Sequence, residues 1–503
     1  MDASRIYDVI VIGSGAGGGT LLHALAPTGK KILVLERGGY LPREKDNWSS
    51  RAVFVDNKYK ARETWLEKDG KTFRPEIHYY VGGQTKLYGS ALLRFLPEDF
   101  EDLRHRDGIS PAWPIRYGDL EPYYARAERL YHVHSDGGPF PALKHEPRIQ
   151  ELQDDLRRLG YSPFALPVGV ILDERHPENS PCIRCSTCDG YPCLIHGKAD
   201  TEVVCVRPAL RNPNVTLLTH THVTLLRTSS SGREVTTVVA ERNGVIEQYQ
   251  AGVVVVSCGA INSAALLLRS ANEAHPNGLA NASDQVGRNY MCHNNSAFVA
   301  LSPKLNPTTF EKTLALNDFY LRANDWEFPL GAIQTMGKAD AEKFEAAAPI
   351  PVPRFALDQL AKHSLDFWLT SEDLPRAANR VTVSKEGRIS VQYRQNNLEA
   401  HDRLNAKLSR LLRKVDGEHR LIPLSFSLRK KIPLRGVTHQ CGTVRFGSDP
   451  KTSVLDVNCK AHELDNLYVV DGSFFVSSAA MNPALTIMAN ALRVADHLKQ
   501  RLH

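Results

Sequence analysis

The chain has 503 residues, of which 42% are hydrophobic and 23% charged, with a net charge of +6 spread along its length. That length exceeds one ordinary core and predicts two domains, interleaved in sequence. No run reaches the ~18 apolar residues of a membrane span, and a modest charge without aromatic interleaving predicts no nucleic-acid partner. The densest basic stretch, Arg410, Arg413 and Lys414 followed by Arg429, Lys430 and Lys431, reads as a solvated helix face and loop.

The N-terminus has no basic leader, no long apolar segment and no small-residue cleavage site. Nine cysteines, an odd number, do not form the even framework of a small secreted protein. A cytoplasmic location follows as the expectation, with export beside a signal-bearing partner left open.

Residues 9–12 (VIVI) form a short β-branched run, as in a buried parallel strand. Gly13, Gly15 and Gly18 then give G-x-G-x-x-G, residues 20–26 (TLLHALA) predict a helix, and residues 31–35 (KILVL) a second strand ending in Glu36. Together these make a βαβ unit closed by an acid. The glycines allow a tight turn and close backbone approach to a pyrophosphate. The helix N-terminus offers free N–H groups to the phosphates, and the acid can accept from ribose hydroxyls. The fingerprint does not separate NAD from FAD. An enzyme using both would carry a second fingerprint mid-chain, and none is present.

Further along, residues 119–133 predict a helix. Residues 181–193 read PCIRCSTCDGYPC, with Cys182, Cys185, Cys188 and Cys193 spaced C-x2-C-x2-C-x4-C. Thiolates at such intervals can converge on one soft metal. The spacing departs from the ferredoxin run, so iron–sulfur, zinc and metal-free thiols or disulfides all remain open. Residues 379–395 alternate around Lys385-Glu386-Gly387 and predict a hairpin. Leu404, Leu408, Leu411, Leu412 and Val415 mark an amphipathic helix packed on that region's sheet. Phe367 and Trp368 read as core residues first and pocket residues second.

The last 70 residues carry the most chemistry. Residues 438–450 read THQCGTVRFGSDP and residues 467–489 read LYVVDGSFFVSSAAMNPALTIMA. A strand over 467–470 delivers Asp471 and Gly472 to a turn. Asn482-Pro483 then opens a helix, with Asn as N-cap and Pro at the first position. Leu485, Met488, Ala489, Leu492 and Ala495 supply its apolar stripe. The N-terminus of such a helix favours negative charge developing nearby.

At this point the sequence resembles the glucose–methanol–choline (GMC) oxidoreductases. The resemblance rests on the N-terminal fingerprint with Glu36, VGGQTKLYGSALL (81–93), SCGAINSAALLLRS (257–270), VGRNYMCHN (286–294), NRVTV (379–383), H-x-x-G-T at His439 and N-P-x-x-T at Asn482. These blocks occur in the family's order over nearly the whole chain.

The resemblance implies an α/β fold: a Rossmann-like FAD-binding domain, with a parallel sheet and helices, interleaved with a substrate domain built on an antiparallel sheet with helices. The expected boundaries are 1–100, 180–290 and 436–503 for the first and 101–179 and 291–435 for the second. It implies alcohol oxidation by hydride transfer to flavin N5, with His439 as base. A neutral imidazole titrates near neutrality and can take the hydroxyl proton. Asn482 cannot be a base, so its implied role is to hold the substrate oxygen.

For FAD the implied contacts are Gly13, Gly15, Ala16, Gly18, Glu36 and Arg37 at the ADP half, Val223 at adenine, and Cys258 and Gly259 near the diphosphate. Gly83, Gly89 and Ser90 would pass the isoalloxazine, and Asp471, Gly472, Asn482, Pro483 and Thr486 would lie along the flavin and ribityl chain. The loop QTKLYGSA lacks the histidine by which some relatives attach FAD covalently, so noncovalent FAD is expected. A secondary hydroxyl of a sugar or glycoside, giving a keto sugar, is the expected substrate. A sterol or other bulky alcohol is the alternative, and a non-redox flavin lyase another. The electron acceptor is expected to be oxygen, a quinone or a redox protein; an iron–sulfur cluster on the cysteine loop would imply export of electrons to a partner.

Overall fold

The computed structural model describes residues 6–348, 351–416, 422–423, 430–431 and 439–502. Its first sheet has seven strands. Strands Val215–Leu218, Ile32–Leu35, Ile6–Ile12, Val245–Val256 and Leu467–Val469 lie side by side and parallel. The hydrophobic runs of this core are buried on both faces, as parallel strands under helices must be. Strand Val245–Val256 serves two pairings. Its last four residues are buried in the parallel sheet, and its alternately exposed first half pairs antiparallel with Val235–Arg242, which in turn pairs with Thr221–Thr228.

The parallel register aligns the strand ends. Ile12 is level with Leu35 and Val256, Leu35 with Leu218, and Val256 with Val469. Gly13, Glu36, Ser257 and Val470 therefore leave the sheet along one edge.

The first helix runs Ala16–Leu25, beginning four residues before the segment 20–26 that the pattern predicts. Its first turn contains Gly17, Gly18 and Gly19, which are poor helix formers. Packing overrides propensity there: a Cβ on Gly17 would lie 2.1 Å from the Val470 carbonyl oxygen, and one on Gly18 2.1 Å from that of Gly13. The helix is seated directly on the strand ends. The helices Tyr117–Leu130 and Leu398–Leu412, the hairpin of Arg380–Val383 with Ile389–Gln392, and strand Leu467–Val469 occur where the sequence predicts them, within a few residues.

A second sheet places Asn294–Leu301, Ser364–Ser371, Ala332–Thr335, Leu314–Leu316 and Phe164–Ala165 antiparallel in that order. Residues of helices Pro147–Arg158 and Leu398–Leu412 close a separate core over one face, where Ile149, Leu152, Leu404 and Leu408 meet Phe298, Ile333, Phe367 and Leu369. Arg410, Arg413 and Lys414 are exposed on the outer face of the latter helix and its end, as expected, while Arg429 lies outside the described residues. Residues 65–73, expected with the first domain, pair with the 380–392 hairpin, expected with the second. No helix among the described residues is long and apolar enough to cross a membrane.

Replacing Gly18 by Ala is expected to lower stability by ~1–3 kcal/mol, because the added methyl meets backbone. Gly118→Ala, in a helix with no atom within 4 Å of the new methyl, should be neutral or stabilising by ~0.5–1 kcal/mol. Thermal denaturation of the two variants checks both.

Candidate active site

The aligned strand ends open onto a cavity of about 1380 Å³, larger than the ~300–1,000 Å³ of ordinary small-molecule pockets. The helices Ala16–Leu25, Ala260–Arg269 and Ala484–Leu502 begin at its wall, where Gly15, Ala16, Gly259, Ala260, Pro483 and Ala484 line the space. Neither Gly15 nor Gly259 caps its helix with a side chain, so these ends turn partial positive charge and N–H groups towards the cavity.

Glu36 is 5% exposed, and it also lines the cavity. Its carboxylate accepts from the Ser14 N–H at 3.0 Å, the Ser14 hydroxyl at 2.6 Å and the Gly38 N–H at 2.8 Å. Burial pushes its pKa up, against the pull of these donors. Asp471, buried at the end of the last parallel strand, accepts from the Gly259 N–H at 3.0 Å, the Ser473 N–H at 2.9 Å and the Ser263 hydroxyl. It thereby fastens the start of helix Ala260–Arg269 to the strand end. Val223 lines the cavity from within strand Thr221–Thr228. The run 214–223 reads as one strand but breaks at a turn, where His220 has positive φ.

Of the residues expected around a cofactor, Gly13, Gly15, Ala16, Glu36, Arg37, Gly83, Gly89, Ser90, Val223, Cys258, Gly259, Asp471, Gly472, Asn482 and Pro483 line the cavity. Gly18 and Thr486 do not. Gly18 is the packing glycine described above, and Thr486 is fully buried with its hydroxyl 2.8 Å from that of Tyr124. The lining carries buried polar atoms without a protein partner among the described residues: Ser90 Oγ, Ser257 Oγ and Gln334 Oε1. Capless helix starts, a glycine cradle, a buried acid and orphaned polar atoms in one long cavity fit a bound dinucleotide.

His439 lines the far part of the same cavity. Its Nδ1 lies 2.9 Å from Nδ1 of His293, and His293 Nε2 lies 2.9 Å from the Ser478 carbonyl oxygen. A carbonyl only accepts, so His293 carries its proton on Nε2. In the neutral ring its Nδ1 must then accept, which makes His439 Nδ1 the donor and leaves His439 Nε2 a bare lone pair. Burial, then the neighbouring His293 and then Lys312 hold the His439 pKa well below the usual histidine range, and burial also lowers that of His293. Both rings are neutral at neutral pH. Nothing local in the sequence singles out His293, although it lies within VGRNYMCHN.

Asn482 also lines the cavity, but it does not cap the last helix. That helix begins at Ala484, the Pro483 carbonyl accepts its first bond from Ile487, and Asn482 Oδ1 accepts from Gln334 Nε2 at 3.2 Å. The side chain is tied to the second sheet, leaving its Nδ2 group without a partner among the described residues. Strand alternation supplies the rest of this wall: Ala297, Trp368 and Gln334 form one cross-strand row facing the cavity. Phe367 points to the opposite core, so the two aromatics expected in that core divide between it and the cavity.

The cysteine loop presents no metal-binding group among the described residues. Among the described residues no group of three or more His, Cys, Asp or Glu side chains is placed to hold a metal ion, and all nine cysteines are free. The loop gathers around an ammonium group instead. Lys198, 1% exposed, donates to the carbonyls of Cys188 at 2.7 Å, Tyr191 at 2.7 Å and Tyr88 at 2.8 Å. Burial pushes the Cys182 thiol up to about 11 and that of Cys188 higher still, so without a metal both are protonated. The expectation of iron–sulfur or zinc at Cys182, Cys185, Cys188 and Cys193 therefore finds no support.

Family models described as GMC oxidoreductase match residues 7–295 and 375–491. The chain belongs to the GMC oxidoreductase family. Members are FAD flavoproteins, and the chain is an FAD-dependent oxidoreductase acting on CH–OH groups. It is 30% identical to 6'''-hydroxyparomomycin C oxidase of Streptomyces lividus over 99% of this chain and 92% of that protein. It is 29% identical to paromamine 6'-oxidase of Streptomyces fradiae, over 98% and 91% respectively. Pyridoxine 4-oxidase from Mesorbium loti shares the fold, with a TM-score of 0.70 at 19% identity over 98% of this chain and 99% of that one.

A base role for His439 makes a pH prediction. With its pKa depressed, the acid limb of kcat/KM should then fall below the ordinary histidine range, and activity should hold level through neutral pH. His293→Ala removes both the neighbouring ring that depresses the His439 pKa and the acceptor of the Nδ1 proton. It should move that limb upwards and lower kcat by ~10–100-fold, read from pH–rate profiles of the two proteins.

Proposed function

We propose that the enzyme oxidises a secondary hydroxyl of a sugar or glycoside to a ketone, with His439 as the base. The observation that carries this reading is the bare Nε2 of His439 in a cavity shared with the Asn482 amide. FAD, bound noncovalently, supplies the hydride acceptor.

Gly13, Gly15 and the first turn at Ala16 would hold the pyrophosphate through backbone N–H groups, Glu36 would hold the adenosine ribose, and Val223 would border adenine. Asp471 positions the start of helix Ala260–Arg269. His439 Nε2 takes the hydroxyl proton, and the Nδ1–H bond to His293 keeps the ring in the tautomer that can do so. The imidazolium that forms keeps its Nδ1 hydrogen bond to a neutral acceptor. Asn482 donates from Nδ2 to the substrate oxygen, while Gln334 fixes the orientation of its amide.

The sugar reading draws on the wall around this pair. Trp368 offers an aromatic face, and Gln334, Asp189 and Lys312 add polar groups. A sterol would leave those buried polar groups unsatisfied, which costs about 1–3 kcal/mol each. The curated relatives named for aminoglycosides and the fructose dehydrogenase large subunit of Gluconobacter japonicus, 24% identical over 97% of both chains, are consistent with a hydroxylated ring substrate.

Anaerobic mixing of purified enzyme with sugars, glycosides and sterols tests the proposal. Pyranosides should bleach the visible flavin band and yield one keto sugar per turnover. His439→Ala should slow that bleaching by ~10²–10⁴-fold. Bleaching by sterols or simple primary alcohols alone would overturn the substrate assignment.

A further inference from the structure

The proposed reaction leaves an ion pair in the cavity unused. Asp189, carried by the cysteine loop, places Oδ2 2.9 Å from Lys312 Nζ and accepts the Gly337 N–H at 3.0 Å. Both side chains line the cavity with His439, Asn482 and Trp368. The Lys312 side chain is 9% exposed and that of Asp189 20%. Burial raises the Asp189 pKa, but Lys312 and the Gly337 N–H outweigh it and hold the carboxyl below its usual range, so Asp189 is ionised beside Lys312.

The pair is incompletely satisfied. Asp189 Oδ1 has no protein partner among the described residues, and Lys312 Nζ has only Asp189. They rest against the bare backbone of Gly89: a Cβ there would lie 2.0 Å from Asp189 Oδ1 and 2.1 Å from Lys312 Nζ. The segment that ties Gln334 to Asn482 also ties Gly337 to Asp189. Two residues, Thr335 and Met336, lie between those anchors, at most ~10 Å of chain. The ion pair and the Asn482 amide thus face one cavity, and Lys312 and Asp189 act electrostatically on the His439 ring in it.

We infer that Asp189 and Lys312 form a subsite that grips two neighbouring hydroxyls of a neutral polyol, fixing which hydroxyl meets His439. This rests on the alcohol-oxidising reading of the site. A carboxylate only accepts and an ammonium only donates, whereas a hydroxyl does both. A vicinal diol can give one proton to Asp189 Oδ1 and take one from Lys312. An ammonium on the substrate would face Lys312 and also Lys343, which lines the cavity with its charge over the Tyr191 ring at 4.7 Å. A substrate carboxylate would face Asp189. The subsite thus selects against both charged forms, including the amino sugars after which two of the relatives are named. The cysteine loop gains a role as well, because Lys198 holds together the loop that delivers Asp189.

The test titrates FAD-loaded enzyme with a neutral pyranoside and with its amino and carboxylate analogues, by calorimetry and by anaerobic flavin bleaching. Wild type should bind the neutral sugar most tightly. Lys312→Met should shift preference towards the amino analogue and Asp189→Asn towards the carboxylate. Each shift should be about tenfold, the ~1.4 kcal/mol of one charge-assisted contact, with flavin content retained. Opposite shifts are the signature; equal loss for all three ligands in both variants would reduce the pair to a structural contact and overturn the subsite. Failure of wild type to bind the neutral sugar would overturn it too. Binding with the expected shifts but no bleaching would leave the subsite standing and sink the oxidation reading.

Discussion

The parallel register of the first sheet is the constraint on which the rest depends. Ile12, Leu35, Val256 and Val469 stand level, so the next residue of each strand emerges at one edge. A slip of one residue in any pairing would move a turn by ~3.3 Å and face its side chains the other way. Gly13 would then lose its seat against Ser257, Glu36 its donors on Ser14, and Asp471 its hold on Gly259. The register is held by hydrophobic strands buried on both faces and by glycines without room for a methyl.

Polar groups buried at that edge are tolerated because backbone amides meet them. Glu36 and Asp471 each accept from two backbone N–H groups and at least one hydroxyl, which offsets part of the desolvation that raises their pKa values. The histidine pair answers the same problem without a carboxylate. His439 has a neutral ring for its orienting partner, so the pairing itself adds no buried negative charge.

Features governed by contiguous residues were legible before the fold was known. The strand–turn–helix at residues 9–25, the strand ending at Asp471 and the hairpin around Gly387 each follow from local pattern and turn chemistry. Their errors are informative. The first helix starts early because Gly17 and Gly18 answer to packing, and Asn482 does not cap because Gln334, 148 residues away, claims its oxygen. The partners that define the site are similarly remote: His293 is 146 residues from His439, and Lys198 110 from Tyr88. No sequence period brings such residues together. The cysteine spacing left metal and metal-free readings open for the same reason, since it records the loop's composition but not the ammonium group at its centre.

The alternation within the second sheet has a consequence for how such a scaffold diversifies. On strands Asn294–Leu301, Ala332–Thr335 and Ser364–Ser371, Ala297, Gln334 and Trp368 face the cavity while their neighbours Phe298, Ile333 and Phe367 build the core. Recognition and foldedness are thereby written on separate residues of the same segments. Exchanges in the first set can accumulate without disturbing the second, so lineages can drift between substrates while the edge of the parallel sheet stays fixed.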